Sequence, residues 1–575
     1  MTEVEIRTER VDDVPLLVHQ QQRMGIPAVL DEVIRPHGNR KGLSPGWLIC
    51  FWLSFILSEA DHRMVEVEPW AAERAEILSS LSPQPVGEKD FTDDRLADIL
   101  RALSDDETWE AIERRLGQRL IRVYNLKQGP TRVDSTTVAV YKDADETTLF
   151  RLGHSKDHRP DLAQFKVMLA TLDPLGLPIA TLVAAGNAAD DPLYEPAIRQ
   201  ARQVVGQGGR LYIGDSKMAA LGTRAFLQAG GDYYLTPLPR TGQVPDLLSR
   251  LLEAVWEKQQ SLEPIYSAPE GDPSRKLWFL AYETTRSQQG EWGGQQLTWP
   301  ERVLVVFSPT LAKRRRRGLE RRLKRAEEEV RALTPPRGRG RRQWEEQAPL
   351  QQAVQAVLKK RRVEGLLEVT YHREVERRPI RRYGERPSRV EERVRYEIQV
   401  RRNPEAIRTT RRRMGWRLYV TNAPAERLPL AEAVRAYRGA PVIERDFRRL
   451  KGRPLGIRPL YVQRDDHARG MVRLLSLALR VLTLTEHVVR QKLEQANEAL
   501  VGLYPGLPKR ETVRPTTERL LRAFKGLTLT VVQLPGQTIR HISSLTDLQR
   551  RILELLDLPS SIYEDLALQT MPNPP

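Results

Sequence analysis

The chain holds one cysteine, Cys50, among its 575 residues. A single thiol excludes an intrachain disulfide framework and any multi-cysteine zinc site. Histidine is scarce at 9 residues, and aromatic residues make up only 6%. No apolar run reaches the roughly 18 residues that a membrane span needs. The longest, Trp47 to Leu57, follows Ser44-Pro45, which fits an N-cap and a first-turn proline of a buried helix. Acidic and basic residues follow closely on Met1, so no signal peptide is expected. The expected compartment is the cytoplasm, in association with the nucleoid, with no membrane partner.

Charge is abundant, and one sign is in excess. Lys+Arg number 92 against 75 Asp+Glu, a formal net charge of +17. The pI is about 9.9 and the mean hydropathy −0.50. Such an excess points to a polyanion, most simply nucleic acid, with an anionic membrane surface as the competing partner. From Leu311 to Glu345 there are 14 Lys+Arg against 5 Glu, a net of +9. An exposed helix pair held by i,i+4 ion pairs explains part of this, but the unbroken Lys313-Arg314-Arg315-Arg316-Arg317 repels itself unless something anionic sits against it.

The length predicts two to four domains, and the pattern divides the chain into five segments. Residues 1–128 read as a helical N-terminal domain, with DNA binding as one use of its basic face. Residues 129–240 read as the first part of an α/β catalytic domain. A basic, β-rich insertion with a helical hairpin covers 241–415, including the Pro/Gly/Arg loop at 335–342. The α/β pattern resumes over 416–485, and 486–575 read as a helical C-terminal region.

The first α/β segment opens on TRVDSTTVAVYKDAD, Thr131 to Asp145. Its alternation and its β-branched Val and Thr predict a strand. Asp134 sits inside it, where a carboxylate is costly unless paired, hydrogen-bonded or coordinated to a metal. A lone Asp there also reads as an acceptor of backbone or hydroxyl hydrogen bonds. Two apolar runs joined at Pro174-Leu175-Gly176 predict a hairpin, and RLYIGD predicts a short strand ending on Asp215, where open α/β sheets place their sites. Further on, Glu444, Arg448 and Lys451 share one face of a helix that restarts near Pro441. For an isolated helix the plain reading is an exposed Glu444–Arg448 pair.

Asp143 and Asp145 read as solvated, and Asp190 and Asp191 as helix caps. Asp134, Asp215 and Glu444 converging from sheet and helix, with few nitrogen or sulfur ligands nearby, would select a hard cation. Mg²⁺ fits, as two ions, with Mn²⁺ as the alternative.

Tyr437, Glu444 and Lys451 repeat the Tyr-x2-Arg-x3-Glu-x6-Lys spacing of insertion-sequence transposases. Ala440 stands at the Arg position and Arg438 lies nearby. VDSTT around Asp134, GHSKDHRPDLAQFK at Gly153 to Lys166, and YIGDSK around Asp215 are further motifs of that kind. On these residues the chain resembles a bacterial DDE transposase with a ribonuclease H-like core, over about 130–240 and 415–485. The resemblance implies a ribonuclease H-like mixed sheet with flanking helices, interrupted by the insertion and bounded by all-α N- and C-terminal regions.

It also implies that Asp134, Asp215 and Glu444 are the catalytic, metal-binding triad. DNA contacts are expected from Tyr437, Arg438, Arg448, Lys451, Lys156 and Arg159. The implied activity is metal-dependent cleavage at element ends and strand transfer, cut-and-paste. The implied partners are the terminal repeats and target, both double-stranded DNA, and a homodimer or larger synaptic assembly. An insertion-domain Trp assists hairpin formation in some members; Trp278, Trp292 and Trp299 are candidates, though each also reads as a core residue. A transposase-derived DNA-binding protein without chemistry and a structure-selective nuclease are the alternative readings.

Overall fold

The computed structural model describes residues 5–568 apart from 36–40, 88, 269–270, 273, 337–342, 382–383, 385–386 and 535–536. Most of the Pro/Gly/Arg loop therefore lies outside the described residues. The strands in chain order are β1 (Glu5–Arg10), β2 (Thr131–Ala139), β3 (Gln164–Leu172), β4 (Leu177–Ala185), β5 (Leu211–Gly214), β6 (Tyr233–Pro237), β7 (Glu263–Tyr266) and β8 (Leu277–Trp292). After these come β9 (Gln295–Phe307), β10 (Leu367–Ile380), β11 (Arg389–Arg402), β12 (Trp416–Thr421), β13 (Leu500–Val501), β14 (Glu511–Thr512), β15 (Thr528–Leu534) and β16 (Gln537–Ile542).

Nine strands form one mixed sheet in the order β4-β3-β2-β5-β6-β12-β9-β8-β7. β2 runs antiparallel to β3 and parallel to β5, and β5 runs parallel to β6. Every residue of β3 is buried, as expected of a strand covered on both faces. The helix Tyr194–Val205 packs on β2, β3 and β4, and the long helix Asp465–Ala496 packs on β4 and on the helix Asp93–Ser104. That long helix carries Arg473 and Arg480 into the interior. Arg480 forms an ion pair with Glu113, both about 1% exposed. Among the described residues no helix is long and apolar enough to cross a membrane.

In the N-terminal segment the apolar helix Pro45–Glu59 is buried from Leu48 to Leu57, and Ser44 Oγ accepts the Trp47 amide at its start. The terminal segments are not all-α, however. β1 pairs with β15, which pairs with β16. In β15, Leu529 and Val531 face inward while their neighbours are half-buried or exposed. This period-2 pattern competes with the Leu-rich helices on either side.

The segment 241–415 also differs from a separate insertion. β7, β8 and β9 extend the main sheet, because β12 pairs with β6 on one side and β9 on the other. The chain leaves the sheet at Phe307 and re-enters at its register partner Trp416. Between them lie the helices Pro309–Ala332, Gln347–Arg361 and Pro404–Arg413 and the hairpin β10–β11. Leu323, Val330, Val354, Leu358 and Ile398 belong to a core of their own there.

Candidate active site

All of β2 is buried except Asp134, which is half-buried. The parallel register pairs Val133 with Gly214, so Asp134, still within β2, stands beside Asp215, the first residue past the end of β5. Paired strands lie about 4.8 Å apart. The two carboxylates feel each other. Burial pushes the Asp134 carboxyl up to about 6, Lys156 opposes that rise, and Asp215 adds to it. A pair of like charges at this spacing disfavours its own ionisation and would favour a cation.

Each acid is fixed by neighbours. Asp134 Oδ1 accepts the Ser135 amide at 2.7 Å. Asp215 Oδ1 accepts the Tyr194 hydroxyl at 2.7 Å and the Lys217 amide at 2.8 Å. Gly214 makes the tyrosine contact feasible, since a Cβ there would stand 2.6 Å from Met218 Sδ and 3.1 Å from the Tyr194 ring. Burial, then Asp215 and Asp134, hold the Tyr194 phenol well above its ordinary pKa, so it donates to Asp215 as a neutral hydroxyl. Lys156 Nζ donates to Ser135 O and Oγ, both at 2.7 Å.

Asp190, read from sequence as a cap, makes no side-chain cap. Its carboxylate instead accepts Lys166 at 2.5 Å and lies 3.4 Å from Lys156. Burial raises its pKa, but the two lysines outweigh this and hold it below the usual range. Nothing in the local sequence singles out Tyr194 or Lys166 for this place.

Glu444 lies in the first turn of the helix Pro441–Lys451, which packs on β2 and the long helix. Its side chain is exposed. Among the described residues no three of His, Cys, Asp and Glu stand close enough to hold a metal ion. The Asp134–Asp215 pair offers only oxygen donors. That suits Mg²⁺, which takes one or two carboxylates and completes its shell with water and phosphate. The preceding helix, Leu430–Arg438, is docked on the sheet by Arg132. Its guanidinium holds Asp173 and also donates to Ala436 O at 2.7 Å.

Of the six basic and phenolic residues expected to contact DNA, Lys156 stands beside Asp134 and Tyr437 lies near enough to feel both acids. The Tyr437 ring packs on Tyr419 at 4.6 Å. Burial and then Tyr419 raise its pKa, with Asp215 and Asp134 adding to the rise. Arg438 is exposed over the Phe279 ring, and Arg448 is exposed. Lys451 is not free, because Nζ donates to Asp157 at 2.9 Å. Asp157 pairs with Lys451 and Arg458 rather than with its sequence neighbours. Arg159 pairs with Asp161 across an exposed turn.

Of the three tryptophans, Trp299 is 2% exposed and donates Nε1 to Tyr234 Oη at 2.9 Å. Trp292 sits edge-on to Phe226, and Trp278 is 38% exposed. Beside Asp215 a cleft of about 340 Å³ is lined by Tyr437, Arg240, Arg315 and Arg417. These three arginines were not singled out individually from the sequence.

The family described as "Transposase DDE domain" matches residues 128–481. That span takes in Asp134, Asp215 and Glu444 together with everything between them. No curated protein matches the chain. Among solved structures it is similar to a piggyBac transposase synaptic complex with hairpin DNA, seen by cryo-EM. The identity is 8% and the TM-score 0.34, over 97% of this chain and 85% of that one.

Proposed function

The chain belongs to the family of transposase DDE domains, and from that premise we propose that it cuts DNA at the ends of a mobile element and joins the freed 3′ ends to target DNA. The observation that carries this reading is the placing of two carboxylates on adjacent parallel strands within the matched span, Asp134 inside β2 and Asp215 just past the end of β5. The strand order β4-β3-β2-β5-β6, with only β3 antiparallel to both neighbours in that set, is what a ribonuclease H-like core requires.

Asp134, Asp215 and Glu444 are the residues that would hold Mg²⁺. Bound there, the ion supplies Lewis-acid activation of the attacking hydroxyl and neutralises charge at the phosphate. The protein's own groups do the rest. Tyr194 fixes the Asp215 carboxylate, and Lys156 places a positive charge beside Asp134. Tyr437, Arg438, Arg448 and Lys156 would contact the DNA backbone. Lys451 and Arg159 would join them by exchanging their carboxylate partners for phosphate. Because two ends must meet one target, the working form is a dimer or larger assembly.

The test separates binding from chemistry. Asp134→Asn, Asp215→Asn and Glu444→Gln are each expected to bind end-containing DNA normally while cleaving it at least about 100-fold more slowly, the scale of losing a charge-stabilising group at a reacting centre. A variant that cleaves at the wild-type rate removes its residue from the site. If the wild-type protein binds ends but neither cuts nor joins them with Mg²⁺ or Mn²⁺, the chain is a binding protein. Cutting without joining makes it a nuclease.

A further inference from the structure

Beside the acid pair, three arginines converge from three different elements. Arg240 follows β6, Arg315 lies on the helix Pro309–Ala332, and Arg417 lies on β12. Among the described residues none of them forms an ion pair with a carboxylate within 4 Å, although 92 basic residues share the chain with 75 acids. Arg240 donates to Trp416 O at 2.7 Å. The three charges press on one another. Burial, then Arg315 and Arg417, push Arg240 down to about 10. Burial, then Arg417 and Arg314, lower Arg315.

Arg240 and Arg315 line two clefts at once. One is the space of about 340 Å³ that contains Asp215 and Tyr437. The other, of about 760 Å³, runs on between the helices of the 309–413 segment, past Arg321, Arg325 and Arg413, with no acid on its wall. The two clefts therefore share a wall of positive charge that begins beside Asp215 and leads away from it. Arg417 and Tyr437 also border a third cleft, where the half-buried Tyr437 ring packs on the buried Tyr419.

We propose that this trough is a phosphodiester-binding channel that takes one unpaired strand of nucleic acid as it leaves the acid pair, with Arg240, Arg315 and Arg417 gripping its phosphates. The proposal rests on the reading that the acids act on nucleic acid. A space of this volume is that of a small-ligand pocket and admits a few nucleotides of one strand, not a double helix. Guanidinium groups suit it, because their planar forks pair with phosphate oxygens two at a time. A phosphate between them also relieves the mutual repulsion of the three arginines. The half-buried Tyr437 ring, backed by Tyr419, offers a face on which an unpaired base can stack, an arrangement used by single-strand binders.

The experiment is fluorescence anisotropy on the full chain in EDTA, with a labelled oligothymidine of roughly 15 nucleotides and a blunt duplex of equal length. Arg240→Gln/Arg315→Gln/Arg417→Gln is expected to weaken single-strand binding at least about tenfold and to lower the salt slope by about 2, the value for three lost phosphate contacts. Duplex affinity should fall by less than about threefold. The matching triple Lys variant should keep the slope, because its point charges remain. Arg315→Gln alone, on a half-exposed helix face, should lower the slope by about 0.7 and serves if the triple variant does not fold.

Unchanged single-strand affinity in a folded triple or single Gln variant overturns the proposal, and so does an equal loss on single strand and duplex. With no metal present, the result does not depend on whether the chain cuts. A protein that cuts but whose Gln variants bind like wild type fails here alone. One that shows the predicted binding but never cuts fails only as a transposase.

Discussion

His62 is 4% exposed, its ring lies 5.5 Å from that of Tyr461, and Nε2 has no hydrogen-bond partner among the described residues. Burial lowers its pKa; Asp61 opposes the shift and Arg63 adds to it. The folded protein thus keeps this ring neutral at a pH where the unfolded chain, with an ordinary value of about 6.5, takes up a proton. When the unfolded state binds more protons, stability rises with pH. The contribution is present above about 6.5 and is lost as pH falls below it, by up to about 1.4 kcal/mol per pH unit. His62→Phe, which keeps a ring against Tyr461, should flatten one histidine's share of that slope. Melting temperatures at pH 8, 6 and 5 check it. A variant whose melting temperature falls as steeply as the wild type's would show that His62 is not the group responsible.

The long helix Asp465–Ala496 shows what an element can do with buried charge. Arg480 meets Glu113 from the helix Asp106–Val123, donates Nε to Pro178 O at 2.9 Å, and donates Nη1 to Ser476 Oγ at 3.0 Å. Glu113 Oε2 in turn accepts the Thr181 amide at 3.1 Å. One ion pair therefore pins two helices to β4. Removing one partner strands the other charge, at a cost of about 3–5 kcal/mol. Arg480→Met should lower the melting temperature sharply. Arg480→Met/Glu113→Gln should recover most of the loss, because the amide oxygen still accepts from Thr181 and no charge is buried. A double variant no more stable than the single one would show that packing, not the stranded carboxylate, sets the cost.

The local features of these elements were readable from sequence. Val and Thr alternating around Asp134 predicted β2, and the turn at 174–176 predicted the β3–β4 hairpin. Long-range choices were not readable. Lys451 takes Asp157 as its partner across 294 residues, and β1 finds β15 from the far end of the chain. No local period encodes either pairing. Asp190 read as a cap because capping is the local option; Lys166 from β3 and Lys156 from the turn before it outcompeted that option.

At the scale of the molecule, charge and architecture divide along the same line. Residues 309–414 contain 33 Lys+Arg and 15 Glu, a net of 33 − 15 = +18, which leaves 59 against 60, or −1, for the rest of the chain. The whole basic excess thus sits in the segment between Phe307 and Trp416, which has its own core. Its ends are already adjacent, since the Ser308 amide donates to Gly415 O at 2.9 Å beside the Phe307–Trp416 register pair. A two-residue Asn-Gly turn, the usual closure of an antiparallel hairpin, can therefore replace 309–414 without disturbing β9 or β12.

The shortened protein should fold, with β2 and β5 still presenting Asp134 and Asp215. Circular dichroism and a single melting transition check that. Its duplex binding should weaken sharply at low salt, leaving the contacts of Arg438, Arg448 and Lys156. The plot of log K against log salt, expected to be steep for the full chain because each neutralised phosphate adds about 0.9 to the slope, should become much shallower. If the shortened protein keeps the full chain's slope, the polyanion is held by the catalytic sheet and its flanking helices, and the segment's charge serves something else.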